Sequence, residues 1–210
     1  MLFRSASWIA DPITGGVQWS TNQAGASLAV GLGSSSVDLG DGDDNLSVSA
    51  WASGAESASM AIKDAVLTLG SGNDTAFISA YIANREGESV AGLALGNSAI
   101  DLGSGDDTIT INGDLLSSKL DGGDGIDAAI LVISSNAYKL AKNMADDQAF
   151  YTLFYDAYSL DIYSIEKLIV NGLSISLDDF QGSALRAVSQ TEDISACYAL
   201  TSASPLEAMV

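Results

Sequence analysis

The sequence lacks histidine altogether and has a single cysteine, Cys197, among its 210 residues. Histidine is the commonest general base in enzymes and a common transition-metal ligand, so its absence excludes Ser-His-Asp and Cys-His catalytic arrangements. One cysteine cannot form an intrachain disulfide, which excludes the disulfide-rich class of extracellular domains. We therefore expect a protein that is not an enzyme of these types and that folds without covalent cross-links.

Positive charge is also scarce. The chain has eight Lys and Arg residues against 27 Asp and Glu residues, which gives a net charge of −19 at pH 7. Such a chain repels nucleic acids and anionic lipid surfaces and attracts cations, so we expect cations and no nucleic acid among its partners. No run of about 18 apolar residues is present, so we expect no transmembrane segment.

What the chain does contain is a Gly/Asp turn that occurs four times. The copies are residues 39–44 (LGDGDD), 69–74 (LGSGND), 102–107 (LGSGDD) and 122–127 (GGDGID). Glycine permits the positive-φ conformations that tight turns require. Around the turns apolar residues alternate with period two, as in Leu46, Val48 and Ala50, which predicts strands rather than helices.

The spacing of the turns predicts the architecture. Equivalent glycines, Gly40, Gly70, Gly103 and Gly123, are separated by 30, 33 and 20 residues, and periods of about 20–50 residues are typical of solenoids, propellers or arrays. About three short strands fit in each repeat, so we predict an all-β fold, a parallel β-solenoid (β-helix or β-roll) of about four coils. We divide the chain into an N-terminal cap (1–16), the solenoid (17–133), a C-terminal capping segment (134–180) and a tail (181–210).

Stacked repeats turn equivalent residues into columns along the predicted solenoid. We expect the small residues Ala29, Ala61 and Ala94 to point outward and to form a flat, uncharged face. This face is either a surface on which another chain packs or simply the small side chains that suit a flat sheet. Trp19, Trp51 and Tyr81 align at spacings of 32 and 30 residues. This aromatic column is either a binding surface for a glycan or another protein, or simply packing at a corner of the coil.

Stacking also superimposes acidic residues. Two carboxylates about 5 Å apart repel each other by roughly 3 kcal/mol at an effective dielectric constant of about 20, and no Lys or Arg lies inside the four turns. A divalent cation would relieve this repulsion, and Ca²⁺ suits the turns because it accepts about 6–8 oxygen ligands in flexible geometry. The alternative is a plain solenoid in which the Asp side chains form hydrogen-bonded Asx-turns without metal.

The turns resemble the RTX (repeats-in-toxin, haemolysin-type) calcium-binding repeat, Gly-Gly-x-Gly-x-Asp-x-apolar-x. Residues 122–127 match its first six positions, and the other copies have Leu at the first. The resemblance implies that the sixth-position carboxylates are the leading Ca²⁺ ligands, namely Asp44, Asp74, Asp107 and Asp127. Side chains at variable positions come second, namely Asp41, Asp43, Asn73, Asp106 and Asp124. Backbone carbonyls around Gly40, Gly70, Gly103 and Gly123 complete the shell.

The coil of about 30 residues is longer than that of typical RTX β-rolls and carries one motif instead of two. Up to three calcium ions should therefore line a single edge of the solenoid. Segment 164–180 looks like the segment that follows RTX arrays, and the tail is similar to the uncleaved signal of type I secretion; the alternative for the tail is a disordered terminus.

These features predict a secreted bacterial protein that binds calcium. We expect an extracellular structural, surface-layer or matrix protein that folds, or assembles with itself into a fibre or layer, when Ca²⁺ binds. One alternative is an adhesin module that binds a surface glycan or a protein through the Trp19, Trp51 and Tyr81 column. A polysaccharide-active β-helix enzyme is less favoured, since Arg85 is the only arginine in the repeats.

Overall fold

The computed structural model describes residues 14–21, 28–53, 58–83, 89–145, 148–177 and 183–187. Within these ranges the chain forms strands joined by turns and bends, with no helix. No helix with the length and apolarity needed to cross a membrane is found in the part of the chain so described. Most of the predicted N-terminal cap (1–16) and of the tail (181–210) lies outside the described residues.

The strands follow one another in short segments along the described chain. They are β1 (Thr14–Thr21), β2 (Leu28–Gly33), β3 (Ser36–Asp38), β4 (Asn45–Ser53), β5 (Ala58–Lys63), β6 (Val66–Ser71), β7 (Thr75–Ala83), β8 (Ser89–Ala91), β9 (Leu93–Gly96), β10 (Ala99–Ser104), β11 (Thr108–Asn112), β12 (Asp114–Leu116), β13 (Ser118–Asp121), β14 (Ala128–Val132), β15 (Ala137–Ala145), β16 (Gln148–Tyr155), β17 (Tyr158–Tyr163), β18 (Lys167–Val170), β19 (Leu173–Ser176) and β20 (Ser183–Ala187).

These strands form three sheets in which parallel pairs predominate. Sheet A has the order β1-β4-β7-β11-β14-β18-β19, with β8 beside β7; sheet B is β12-β9-β5-β2; sheet C is β20-β15-β16-β17-β13-β10-β6-β3. Between β4 and β7, which pair in parallel, the chain contributes β5 to sheet B and β6 to sheet C. The prediction of an all-β protein with parallel sheets is confirmed.

One hydrophobic core joins the three sheets. In sheet A, Val48 pairs with Ile78, Ile78 with Ile111 and Ile111 with Leu131, and all four side chains are fully buried. Residues of sheet B and sheet C belong to the same cluster. Because full burial of one such side chain stabilises a fold by about 1.5–3 kcal/mol, these inward columns hold the sheets together.

The expectation of an outward-facing alanine column is wrong. Ala29, Ala61 and Ala94 are only 2%, 0% and 0% exposed. Ile62 and Leu95, the residues that follow two of these alanines, are fully buried as well. Two consecutive buried residues cannot belong to a regular half-exposed strand, in which side chains alternate between faces, so sheet B departs from simple alternation at this position.

Of the three residues predicted to form an aromatic column, two are aligned in the structure. Trp51 pairs with Tyr81 across β4 and β7, as expected. Trp19 is out of register, because Ser20 is the residue of β1 that pairs with Trp51. Every pair between β1 and β4 has the same sequence spacing, as between Val17 and Val48. The spacing from Trp19 to Trp51 is one residue longer, so Trp19 does not pair with Trp51.

The C-terminal part of the described chain continues two of the sheets. Strand β17 pairs in parallel with β13, and β18 pairs in parallel with β14. Antiparallel hairpins then add β16, β15 and β20 to sheet C and β19 to sheet A. Sheet B ends at β12, where the backbone N–H of Leu115 donates to the hydroxyl of the buried Tyr155 (2.8 Å).

Candidate metal centre

The four Gly/Asp turns stack in the register that their glycines predict. Gly70 and Gly103 are paired residues of β6 and β10, and isolated bridges join Asp41 to Ser71 and Ser104 to Asp124. The stacking is close, since a Cβ atom placed on Gly103 would overlap the carbonyl oxygen of Gly70. Glycine is thus required both for this approach and for the positive φ of 100° at Gly103.

The sixth-position aspartates form a buried column at this edge of the protein. Asp44, Asp74, Asp107 and Asp127, which we call the aspartate column, are 3%, 1%, 1% and 0% exposed. The carboxylates of Asp74, Asp107 and Asp127 each accept the backbone N–H of the preceding member, with N–Oδ1 distances of 2.7, 2.6 and 2.9 Å. The four leading ligand candidates are therefore brought together, and the last three already serve as backbone acceptors.

The second oxygen of three of these carboxylates, unlike the first, accepts no hydrogen bond. The Oδ2 atoms of Asp74, Asp107 and Asp127 are buried and have no hydrogen-bond partner. Burying a carboxylate without a compensating partner is costly. The ion pairs in the described part of the chain, Lys63–Asp64 and Lys119–Asp121, involve other carboxylates. The column therefore favours a bound cation or bound protons.

Burial also governs the acidity of the column. It raises the pKa of Asp74 and Asp107 above that of an ordinary aspartate, and the charges of neighbouring acids raise it further. The pKa of Asp127 rises to about 6, chiefly through burial and then through the charges of Asp107 and Glu166. These directions mean that the negatively charged forms of Asp74, Asp107 and Asp127 are disfavoured unless positive charge is added.

Glu166 is a fifth member of the stack that the sequence did not reveal. Its Oε2 accepts the backbone N–H of Asp127 (2.7 Å), and its own N–H donates to the carbonyl of Asp127 (3.2 Å). The position follows from the pairing of Ala128 with Lys167 in β14 and β18. A sequence signal for this position existed, because residues 126–129 and 165–168 share the order apolar–acid–any–apolar. No Gly/Asp turn precedes residues 165–168, however, so the signal is weak.

The second set of predicted ligands lies outside the buried column. Asp43 accepts the N–H of Asn73 (2.8 Å), Asn73 accepts that of Asp106 (2.8 Å), and Asp106 accepts that of Ile126 (3.0 Å). All members of this set are exposed, namely Asp41, Asp43, Asn73, Asp106 and Asp124. Among the described residues no group of three or more acidic side chains is placed to hold a metal ion.

The glycine carbonyls are partly engaged in the same way. The carbonyl of Gly40 accepts the N–H of Ser71 (3.0 Å), and that of Gly103 accepts the N–H of Asp124 (2.9 Å). A carbonyl oxygen has two lone pairs, so these bonds leave room for one further contact. Buried carboxylate oxygens and turn carbonyls are the types of ligand that a hard cation such as Ca²⁺ prefers.

A second surface of interest is the outer face of sheet A. Trp51 and Tyr81 are half-buried cross-strand neighbours, and the hydroxyl of Tyr81 accepts a hydrogen bond from Asn112 Nδ2 (2.6 Å). Phe77 lies on β7, the third strand from the β1 edge of sheet A, and its side chain is 40% exposed. This face offers aromatic and amide groups rather than carboxylates.

No protein-family model matches the chain, and no curated protein or solved structure is found to be similar to it.

Proposed function

We propose that this chain is a calcium-binding, RTX-like β-solenoid that acts outside the cell as a structural, surface-layer or matrix protein rather than as an enzyme. The solenoid assignment is supported by the order in which the chain visits the three sheets, one strand in each, before it pairs in parallel with its own previous repeat. In this proposal the sheets are the three faces of the coil, and the aspartate column lies at the corner between sheets C and A.

The observation that carries the calcium proposal is the buried, unpartnered Oδ2 atom of Asp74, Asp107 and Asp127. Full burial removes the water that would otherwise solvate these charges. A divalent cation neutralises two carboxylates at once and requires no lysine or arginine. Calcium is preferred over magnesium, because magnesium demands near-octahedral geometry and gives up its water reluctantly.

Calcium would act by mass action on folding. An ion that binds the folded state alone, at ten times its dissociation constant, stabilises that state by about 1.4 kcal/mol, and up to three ions contribute about 4 kcal/mol. Extracellular calcium is plentiful enough for the weak sites typical of extracellular modules, whose dissociation constants are about 0.1–1 mM. The protein is accordingly proposed to complete its folding after export.

Thermal unfolding followed by circular dichroism tests this function. In chelator we expect strand signal to be weakened and the midpoint lowered, and about 2 mM calcium chloride should restore both, because calcium binds the folded column. Magnesium at the same concentration and about 0.5 M sodium chloride are the controls; salt screens exposed charges but not buried ones. Identical unfolding curves with and without calcium would refute the proposal.

A second candidate function is glycan binding by the outer face of sheet A, favoured by the pairing of Trp51 with Tyr81. Trp51→Ala should then abolish glycan-array binding while leaving calcium-dependent dichroism unchanged, since the substitution lies outside the aspartate column. Equal glycan binding by wild type and variant would exclude this face.

A further inference from the structure

We propose that the C-terminal end of the aspartate column, where Asp127 meets Glu166, is the strongest cation site of the chain, with the carboxylate of Glu166 and the carbonyl oxygen of Ser164 as ligands beside Asp127. The inference rests on the proposed calcium function and deepens it, because Glu166 and Ser164 lie outside the four Gly/Asp turns.

Asp127 is the best-buried member of the column and has an oxygen to spare. Its side chain is 0% exposed, its Oδ1 accepts the N–H of Asp107 (2.9 Å), and its buried Oδ2 has no hydrogen-bond partner. A fully buried carboxylate oxygen with no donor is the kind of atom that a metal ion satisfies.

The fourth turn also differs from the other three beside this oxygen. The position occupied by Leu39, Leu69 and Leu102 in the first three turns is occupied here by Gly122. A Cβ atom at Gly122 would overlap the carbonyl oxygen of Ser164 and would lie 2.7 Å from Asp127 Oδ2. Both oxygens thus lie beside the Cα atom of Gly122 and within about 5 Å of each other, close enough for one calcium ion, which binds oxygens at about 2.3–2.6 Å, to contact both.

Negative charge is concentrated at the same place. Glu166 is exposed, binds the N–H of Asp127 through Oε2, and lies close enough to act electrostatically on Asp127, as do Asp107 and Asp106. Lys119, on the strand that leads into this turn, pairs with Asp121 (3.0 Å) and lies over the ring of Tyr163 (4.3 Å).

Two carboxylates and one carbonyl leave several positions of a calcium ion to water. Such a site should have a dissociation constant of about 0.1–1 mM, the range of extracellular calcium modules. Asp74 and Asp107 also each have a buried Oδ2 without a hydrogen-bond partner. At the earlier steps both stacked carboxylates are buried, whereas at the last step Glu166 is exposed and can be reached by an ion from solvent. We therefore expect the last step to fill first as calcium is added.

Calorimetric titration of the full chain with calcium chloride tests the inference. Glu166→Gln retains an oxygen that can accept the N–H of Asp127 but removes the charge, so it should weaken the tightest site by about tenfold. Asp101→Asn removes one exposed carboxylate from the outer face of sheet C and is the matched control. Its titration should equal that of the wild type.

The outcomes separate this inference from the function on which it rests. Absence of calcium binding by the wild type would overturn both. Binding by the wild type with an unchanged tightest site in Glu166→Gln would overturn the inference and leave the function standing. An equal loss in Asp101→Asn would show a general charge effect and would also overturn it. Dichroism at saturating calcium verifies that each variant is folded.

Discussion

At the scale of single residues, Asp74, Asp107 and Asp127 each have two separate tasks. Oδ1 accepts the backbone N–H of the preceding column member, which lies in the previous turn and not in the aspartate's own, while Oδ2 is left for a positive charge. The sequence predicted which aspartates stack, because their distance from the turn glycines is constant. It did not predict their burial, which depends on the surrounding sheets, or the role of Glu166, which has no turn to mark it.

The raised pKa values predict an unusual pH dependence in metal-free buffer. The folded pKa of Asp127 is about 6, above that of an unfolded aspartate, so the folded state binds more protons between these values. The stabilisation is complete below about pH 4 and is lost as pH rises through 6, on the order of 2 kcal/mol for this group.

Thermal unfolding between about pH 4 and 7.5 measures this effect. Asp127→Asn cannot titrate at this position, so its midpoint should fall less over the same range, and calcium should reduce the fall in the wild type by binding the ionised form. A midpoint that rises with pH in metal-free wild type would contradict the assignment.

At the scale of elements, the turns were predictable and the C-terminal strands were not. Regular glycine spacing placed Gly70 beside Gly103 correctly. Strands β15, β16 and β17 pair as antiparallel hairpins, and no repeated turn motif joins them. The sequence of residues 134–163 therefore did not predict which residues pair across these strands. Trp19 shows why aligning single residues is not enough to predict register. An error of one residue in the alignment changed its predicted partner, and in the structure it pairs with Ala50 instead of Trp51.

Two turn glycines provide a matched pair for measuring the stacking. Gly40 and Gly103 have similar positive φ angles of 95° and 100°, but a Cβ atom at Gly40 meets nothing within 4 Å, whereas at Gly103 it overlaps the carbonyl of Gly70. Gly40→Ala should cost about 1–2 kcal/mol through backbone strain alone. Gly103→Ala should cost more than about 4 kcal/mol, because the stacked turns must separate.

Urea unfolding in calcium-containing buffer gives both free energies of unfolding from the same kind of curve. Equal losses in the two variants would mean that the turns are not in close contact.

At the scale of the whole molecule, the period-two alternation of apolar residues predicted the class of fold, and the repeat predicted its parallel sheets. A chain with a net charge of −19 still has one continuous core, because all three sheets contribute buried apolar residues to it. The acidic residues are not spread evenly: a ladder of them lies in one buried edge. That arrangement could not be read from net charge, since burial is a property of the assembled sheets.

The short strand β12, at the end of sheet B, bears on how the molecule meets its own copies. An open parallel edge is ordinarily a template on which a strand of another molecule can pair, and repeated pairing of this kind leads to amyloid-like polymers. Here the N–H of Leu115 is already taken by the hydroxyl of Tyr155, a side chain that is only 3% exposed. A second molecule would have to displace a buried phenol before it could lengthen this sheet. Tyr155 thus protects this edge of sheet B against pairing at Leu115 with a strand of another molecule.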